Sequence, residues 1–148
     1  MPEGKSKVSG IVRFEHIEGR QCRIVAELTG LTPGPHGFHI HEFGNLIQGC
    51  STAGPHFNPF EKTHGGPKSR NRHLGDLGNL IADKNGDAKL DVYDKEIELF
   101  GKFRVIGRSC VVHSKEDDLG EGGNEESMKT GNAGARVACG VIGLSAPF

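Results

Sequence analysis

GFHIHE, residues 37–42, is the stretch of sequence that decides the expected fold. Its residues alternate in character, and alternate side chains of a β-strand lie on the same face. Similar strand signals recur along the chain with turn residues between them. The Asn85-Gly86 pair suits a tight hairpin, so the pattern predicts an antiparallel all-β protein. We predict strands near 8–16, 22–29, 37–43, 77–82, 88–93, 97–106, 109–113 and 136–144.

The composition supports one β domain. The chain has 148 residues and is 34% hydrophobic, so we expect one core and a single domain over residues 1–148. Its 23 glycines and 7 prolines favour turns and strands, because glycine weakens helix interiors and proline breaks them. The formal net charge of -1 gives no reason to expect nucleic acid or an anionic membrane as a partner.

The start of the chain and its apolar runs predict a location. Residues 1–7 lack the apolar segment of a secretory signal. No apolar run approaches the ~20 residues that span a bilayer. We therefore expect a cytoplasmic protein without a membrane partner.

The four cysteines form no CxxC pair, which argues against a zinc knuckle or a thioredoxin-type redox site. Cys22 and Cys110 lie in predicted strands. We interpret both as buried free thiols and not as reactive ones.

Two long segments, residues 44–73 and 114–135, interrupt the strand pattern. Both exceed the ~12–15 residues beyond which a structureless loop is usually functional or disordered. The first contains Cys50 and several histidines among prolines and glycines, which indicates a loop held by bonds other than a sheet ladder. The second is charged and rich in glycine, and by itself it is typical of a solvated linker.

Six of the eight histidines lie where metal ligation is expected. His39 and His41 share one face of a strand, so both imidazoles can reach one ion. His-x-His alone is a weak signal and is more often an ordinary exposed strand face. Further candidate ligands strengthen the case: His56, His64, His73 and Asp76 in or just after the first loop, and His113 after the apolar run 110–112. Three imidazoles and one carboxylate suit tetrahedral Zn²⁺. We expect His16 to face solvent and His36 to make structural hydrogen bonds.

Five segments together resemble the copper-zinc superoxide dismutase family: GFHIHEFG (37–44), GPHFNP (54–59), HGGP (64–67), HLGDLGN (73–79) and GNAGARVACG (131–140). The resemblance extends from Ser9 to Leu144. It implies a Greek-key β-barrel or sandwich with two long functional loops. It also implies one copper and one zinc ion per subunit, and dismutation of superoxide to dioxygen and hydrogen peroxide as an antioxidant defence.

The resemblance also assigns the metal ligands. It implies copper at His39, His41, His56 and His113, and zinc at His56, His64, His73 and Asp76. His56 would bridge both ions and act in catalysis together with Arg136, whose guanidinium would hold an anion. Nitrogen ligands suit a copper ion that cycles between two oxidation states.

Further roles follow from the resemblance alone. Asp117 would join a copper histidine to a zinc histidine, although its local sequence equally fits a solvated loop acid. Thr130 would narrow the entrance of the substrate channel, and the charges around it would be those of Lys115, Glu125, Glu126 and Lys129. Cys50 and Cys139 would form a disulfide, which cytosolic proteins rarely contain.

Two departures from the family affect the edge of the fold and the expected homodimer. Residues 1–8 are polar and short, so we expect a missing or shortened first strand, with an open sheet edge and part of the core uncovered. Apolar residues at the expected dimer contact could form a hydrophobic patch: Leu46, Ile47, Ile106 and the tail around Phe148. Equally, Leu46 and Ile47 could pack under their own loop.

Two other functions remain open. Copper chaperones for these enzymes contain a similar domain, but they add a cysteine-pair motif that this sequence lacks. A zinc-stabilised β domain with a vestigial copper site is the other alternative. A separate copper chaperone is an expected partner for metal loading.

Overall fold

The computed structural model describes residues 6–19 and 21–147, and strands dominate them. The strands are β1 (Ser9–Ile17), β2 (Gln21–Thr29), β3 (Gly34–His41), β4 (Ile47–Cys50), β5 (Asp76–Ala82), β6 (Ala88–Asp94), β7 (Ser109–His113) and β8 (Arg136–Val141). A 3₁₀ turn covers Ser51–Ala53, and one short helix, α1, covers Ser127–Thr130. No helix in the described ranges is long and apolar enough to cross a membrane.

Seven of the strands form one antiparallel sheet in the order β1-β2-β6-β5-β3-β7-β8, and β4 lies outside it. The predicted Asn85-Gly86 turn joins β5 to β6. Gly86 has a φ of 86°, a left-handed conformation that glycine adopts without a steric penalty. The all-β prediction is therefore confirmed.

β3 divides the molecule into a core side and a site side. Phe38 and Ile40 are fully buried in the hydrophobic core, together with Ile24 and Leu80. The alternate residues His39 and His41 are also buried, but they lie on the opposite face under the two long loops. A strand buried on both faces explains why apolar and histidine side chains alternate in this stretch.

The predicted strand at 97–106 is wrong. This segment contains turns and bends, and its only described ladder contact is an isolated bridge between Glu98 and Arg104. The side chain of Asp94 accepts hydrogen bonds from the backbone of Glu96 and Ile97, which turns the chain at the start of the segment. Its apolar residues are nevertheless core residues, since Ile97 and Val105 are buried. Burial without a ladder produced the strand-like pattern.

The sheet has two open edges. Within the described residues, β1 pairs only with β2 and β8 only with β7. A groove of about 690 Å³ lies between them, lined by residues of both strands and by the half-buried Cys110. Ile11 and Val141 at this groove are each 53% exposed. The expected missing or shortened first strand concerns residues 1–8, of which residues 1–5 lie outside the described residues, so it stays a prediction.

Both unpaired cysteines are free thiols, but their burial differs. Cys22 is buried as expected, whereas Cys110 is only half-buried. Burial raises the pKa of each thiol to about 11, so both are protonated at neutral pH. His16 faces solvent, and both ring nitrogens of His36 lie near backbone carbonyl oxygens, as the sequence predicted.

Candidate metal centre

The fold brings the six predicted histidines and Asp76 to one buried centre. Two come from β3, one from the end of β7, three from the first long loop, and the carboxylate from the start of β5. All seven side chains belong to buried residues: His39, His41, His56, His64, His73, Asp76 and His113. Residues distant in sequence therefore meet where the two loops cover the sheet.

One group of ligand atoms comes from His39, His41, His56 and His113, and these atoms lie within 4.8 Å of one another. His41 Nδ1 lies 2.8 Å from the carbonyl oxygen of Gly54, and His113 Nδ1 lies 3.0 Å from that of Gly134. A carbonyl oxygen only accepts, so both Nδ1 atoms carry the proton. The two Nε2 atoms, 3.3 Å apart, are left with lone pairs that face the group.

Buried ring nitrogens without a hydrogen-bond partner indicate whether this cluster of side chains can hold a metal ion. In the described part of the chain, three buried side-chain nitrogens have no hydrogen-bond partner: His39 Nδ1, His56 Nε2 and His64 Nδ1. Buried polar atoms without partners are rare and costly. Here all three lie inside the clustered ligand sets, where a metal ion would bind their lone pairs. The donor set therefore fits metal ions.

A second group surrounds Asp76 Oδ1, which lies 3.0 Å from His56 Nδ1, 2.9 Å from His64 Nδ1 and 3.3 Å from His73 Nδ1. His56 Nδ1 and His73 Nδ1 are 3.2 Å apart. Ligands at Zn–N distances of 2.0 Å in a tetrahedron are about 3.3 Å apart, so these separations fit a zinc ion. His56 contributes one ring nitrogen to each group.

His39 also lies close enough to His56, His64 and Asp76 to complete a second group without His73. His73 Nδ1 lies near the same carboxylate oxygen, and the His39 ring is already used. Its Nε2 is bonded to Asp117, and its Nδ1 faces the first group.

Asp117 joins the two groups. Its Oδ2 accepts a hydrogen bond from His39 Nε2 at 2.6 Å, and its Oδ1 accepts one from His64 Nε2 at 2.7 Å. Burial opposes ionisation of this carboxyl, but these two bonds lower its pKa to about 2. Burial also opposes protonation of His64, yet the nearby carboxylates of Asp117 and Asp76 raise its pKa to about 9.

The first group is held in the form that binds metal. Burial lowers the pKa of His39 to about 3, of His41 to about 2 and of His113 to about 4. These imidazoles are therefore neutral at pH 7, and a neutral imidazole has the lone pair that a metal ion requires.

Comparison with known proteins decides the family. The family model for copper/zinc superoxide dismutase (SODC) matches residues 8–142. The chain belongs to this family. It is similar to the superoxide dismutases [Cu-Zn] of Candida glabrata, at 56% identity over 96% of this chain and 94% of the relative, and of Kluyveromyces lactis, at 55% over 97% and 94%. Superoxide dismutase [Cu-Zn] A of Xenopus laevis is 54% identical over 95% of this chain and 93% of its own length.

The activity of the chain follows from its family. The chain is a superoxide dismutase, an oxidoreductase with copper and zinc as its cofactors, and its histidine groups agree with this chemistry. The recognition of the family from sequence is confirmed.

As in any superoxide dismutase, the substrate needs a route to the histidines, and a cavity of about 1190 Å³ opens onto them. Its lining includes three histidines of the first group and Arg136, which was predicted to act in catalysis. It also includes four of the five residues predicted for the channel: Lys115, Glu126, Lys129 and Thr130. Glu125 lies outside this lining, and its carboxylate accepts a 2.6 Å bond from Lys129. Thr130 Oγ1 donates to Glu126 Oε1 at 2.8 Å.

The predicted Cys50–Cys139 disulfide is present, with the two Cα atoms 5.7 Å apart. It ties the first long loop to β8. Arg136, also on β8, donates from Nη1 to the Cys50 carbonyl at 2.8 Å and from Nη2 to the Gly54 carbonyl at 2.7 Å. The loop backbone next to the disulfide therefore sets the position of the guanidinium.

Sequence reasoning missed three groups that shape the centre. The carbonyls of Gly54 and Gly134 select the ring tautomers of His41 and His113. Asn79 on β5 bonds to the backbone of Asp117. Backbone carbonyls have no residue-type signature, whereas Asn79 lies in the HLGDLGN segment, where its closeness to Asp76 was the available signal.

Proposed function

We propose that this superoxide dismutase holds copper with the first group and zinc with the second. The copper ligands are His39, His41, His56 and His113, and the zinc ligands are His56, His64, His73 and Asp76. The observation that carries the proposal is the set of buried, unpartnered ring nitrogens within the two groups. When bound, copper supplies one-electron redox chemistry and zinc supplies a fixed charge of constant oxidation state.

His56 is proposed as the proton carrier of the reaction. Its Nδ1 lies in the zinc group beside Asp76, and its Nε2 lies in the copper group without a hydrogen-bond partner in the described ranges. His56 also lines the cavity. Nε2 is thus an atom that can hold a proton and release it to the peroxide product within the cavity.

Arg136 is proposed to hold the superoxide anion. A guanidinium has five N–H donors, and two are used on the carbonyls of Cys50 and Gly54. The remaining donors are available to an anion in the cavity that Arg136 lines. Lys115 and Lys129 add positive charge to the same lining and attract the substrate, while Glu126 limits that attraction.

A first experiment measures dismutation by pulse radiolysis on protein reconstituted with copper and zinc. His39→Ala is the variant, and the rate is measured over a range of ionic strength. We expect a rate near the ~10⁸–10⁹ M⁻¹s⁻¹ ceiling that falls as salt rises, and a large loss in the variant. A protein with full copper occupancy and no activity would instead be a metal-binding or partner-binding β domain.

We propose a homodimer formed through the loop that carries Ile47. Ile47, the first residue of β4, is 84% exposed, and Gly44 just before this strand lies against Gly107 and against Val141 of β8. Val141 is itself 53% exposed, so the exposed apolar surface continues onto β8. Leu46 and Ile106 are half-buried, and Phe148 lies outside the described residues. Ile47→Glu should convert a dimer to a monomer in sedimentation velocity, and an unchanged mass would exclude this surface.

Two expectations about cellular context stay proposals. A copper chaperone would load the metal, and a pull-down with such a chaperone tests that partner. A cytoplasmic location is tested by cell fractionation, and one relative, from Brugia pahangi, is named extracellular superoxide dismutase [Cu-Zn].

A further inference from the structure

Asn79 makes two hydrogen bonds to the backbone of a single loop residue. Its Nδ2 donates to the carbonyl oxygen of Asp117 at 2.9 Å, and the backbone N–H of Asp117 donates to Asn79 Oδ1 at 2.7 Å. One side-chain amide thus provides hydrogen-bond partners for both the backbone N–H and the backbone carbonyl of Asp117, as a neighbouring strand would. Asp117 lies in the loop between β7 and β8, where the sheet ladder offers no such partner.

Asp117, the residue that Asn79 holds, orients one histidine in each metal group. The carboxylate of Asp117 is fully buried and binds the Nε2 atoms of His39 and His64. Each bond fixes the proton on Nε2 and leaves Nδ1 for a metal group. Displacement of the Asp117 backbone would lengthen both bonds together, because the two carboxylate oxygens move as one rigid unit.

The surroundings of Asn79 keep the loop close to the sheet. Asn79 pairs with Gly37 of β3, and the backbone N–H of Gly37 donates to the Lys115 carbonyl at 2.8 Å. A Cβ atom on Gly37 would lie 2.7 Å from Ala133 Cβ and 3.4 Å from Asp117 Cβ, so only glycine lets the loop approach this far. Asn79 and Gly37 therefore act together on the same loop segment.

We infer that Asn79 is a positioning residue for both metal groups, because it fixes the backbone of Asp117 and through it the rings of His39 and His64. The inference rests on the ligand assignment proposed above. An aspartate at position 79 could accept from the Asp117 N–H, but it would repel the Asp117 carbonyl oxygen. An alanine would provide neither bond.

The chain offers a matched control. Asn58 makes the same reciprocal pair with the backbone of Lys62, with Nδ2 2.8 Å from the Lys62 carbonyl and Oδ1 3.0 Å from its nitrogen. Lys62 is not among the residues of either metal group. Asn58→Ala thus removes the same two bonds without acting on Asp117.

The test compares Asn79→Ala, Asn79→Asp and Asn58→Ala by zinc affinity, measured by chelator competition, and by NMR of the imidazole Nε2 protons of His39 and His64 in the zinc-loaded protein. We expect Asn79→Ala to lower zinc affinity about 10–100-fold and to speed exchange of both Nε2 protons. Asn79→Asp should show a smaller loss of the same kind. Asn58→Ala should leave zinc affinity and both protons unchanged.

The inference is overturned if Asn79→Ala keeps the affinity and proton exchange of the unmodified protein, or if Asn58→Ala causes an equal loss. If Asn79→Ala does not fold, Asn79→Asp decides by the same two measurements. His73→Ala tests the ligand assignment separately. Retained zinc affinity in His73→Ala contradicts the proposed zinc site, whereas a loss there with no effect at Asn79 contradicts only the positioning role.

Discussion

His39 donates a 2.6 Å hydrogen bond from Nε2 to Oδ2 of Asp117, and both side chains are fully buried. Because the proton is held on Nε2, the Nδ1 lone pair of His39 faces the copper group. His64 Nε2 donates to the other carboxylate oxygen, so its proton is fixed in the same way and its Nδ1 faces the second group. The ring tautomers of one histidine in each group therefore depend on one carboxylate.

Asp117→Asn should weaken zinc binding about 10–100-fold, as expected when a partner that orients ligands is lost. An amide has one acceptor oxygen, so it can accept from His39 or from His64 but not from both. Its NH₂ group would face the other Nε2–H. Zinc affinity measured by chelator competition checks this prediction.

Asp118→Asn is the matched control for that substitution. Asp118 is the next carboxylate along the chain, and it accepts bonds from Ser127 and Asn132. These partners belong to neither metal group, so zinc affinity should be retained. Equal losses in the two variants would show that loop integrity, and not histidine orientation, controls zinc binding.

The fold was predictable where burial and backbone pairing coincide. In β3 the alternation of Phe38 and Ile40 with His39 and His41 reports a real strand with two buried faces. At 97–106 the apolar residues are buried, but they enter the core from a turn that Asp94 begins. An apolar sequence pattern indicates which residues are buried, but it does not distinguish a strand paired in a sheet from a well-packed loop.

The side chains that gather at the centre were predictable because imidazoles and a carboxylate on tight turns have few other uses. Their tautomers were not, because the deciding partners of His41 and His113 are backbone carbonyls. The position of Asn79 near Asp76 was visible in the sequence, but its partner was not, since this is the backbone of a residue 38 positions away. Such contacts depend on how the second loop closes over the sheet.

Arg136→Gln should lower the dismutation rate by about tenfold or more, and the rate should depend less steeply on salt, because cationic groups at a channel raise on-rates by 10–10³. The glutamine NH₂ group can still donate to the carbonyls of Cys50 and Gly54, but it has no positive charge. Pulse radiolysis at several ionic strengths measures both effects. Arg104→Gln, at an exposed residue outside the cavity lining, is the control and should leave the rate unchanged.

Loss of the Cys50–Cys139 disulfide should affect stability and activity together. The bond closes a segment with a sequence separation of 89, and removal of a native disulfide typically costs about 2–5 kcal/mol of unfolding free energy. Cys50 also presents its carbonyl to Arg136, so a loosened loop should lower the dismutation rate. Thermal unfolding and pulse radiolysis on Cys50→Ala/Cys139→Ala check these outcomes. An unchanged rate in the destabilised double variant would show that Arg136 is positioned without the bond.

Asp118 should give the metal-free protein an acid-sensitive contribution to stability. Burial raises the pKa of this carboxyl, but hydrogen bonds from Ser127, Asn132 and the Gly120 N–H lower it below its ordinary value of 3.8. A carboxyl with a lowered folded pKa stabilises the fold above the unfolded value, and this contribution disappears as pH falls through the folded value. The unfolding free energies of the unmodified protein and Asp118→Asn should therefore differ at neutral pH and converge as pH falls below the ordinary carboxyl value of 3.8. Urea unfolding at several pH values measures the difference. A gap between the two proteins that stays constant with pH would mean that the hydrogen bonds of Asp118, and not its charge, stabilise the loop.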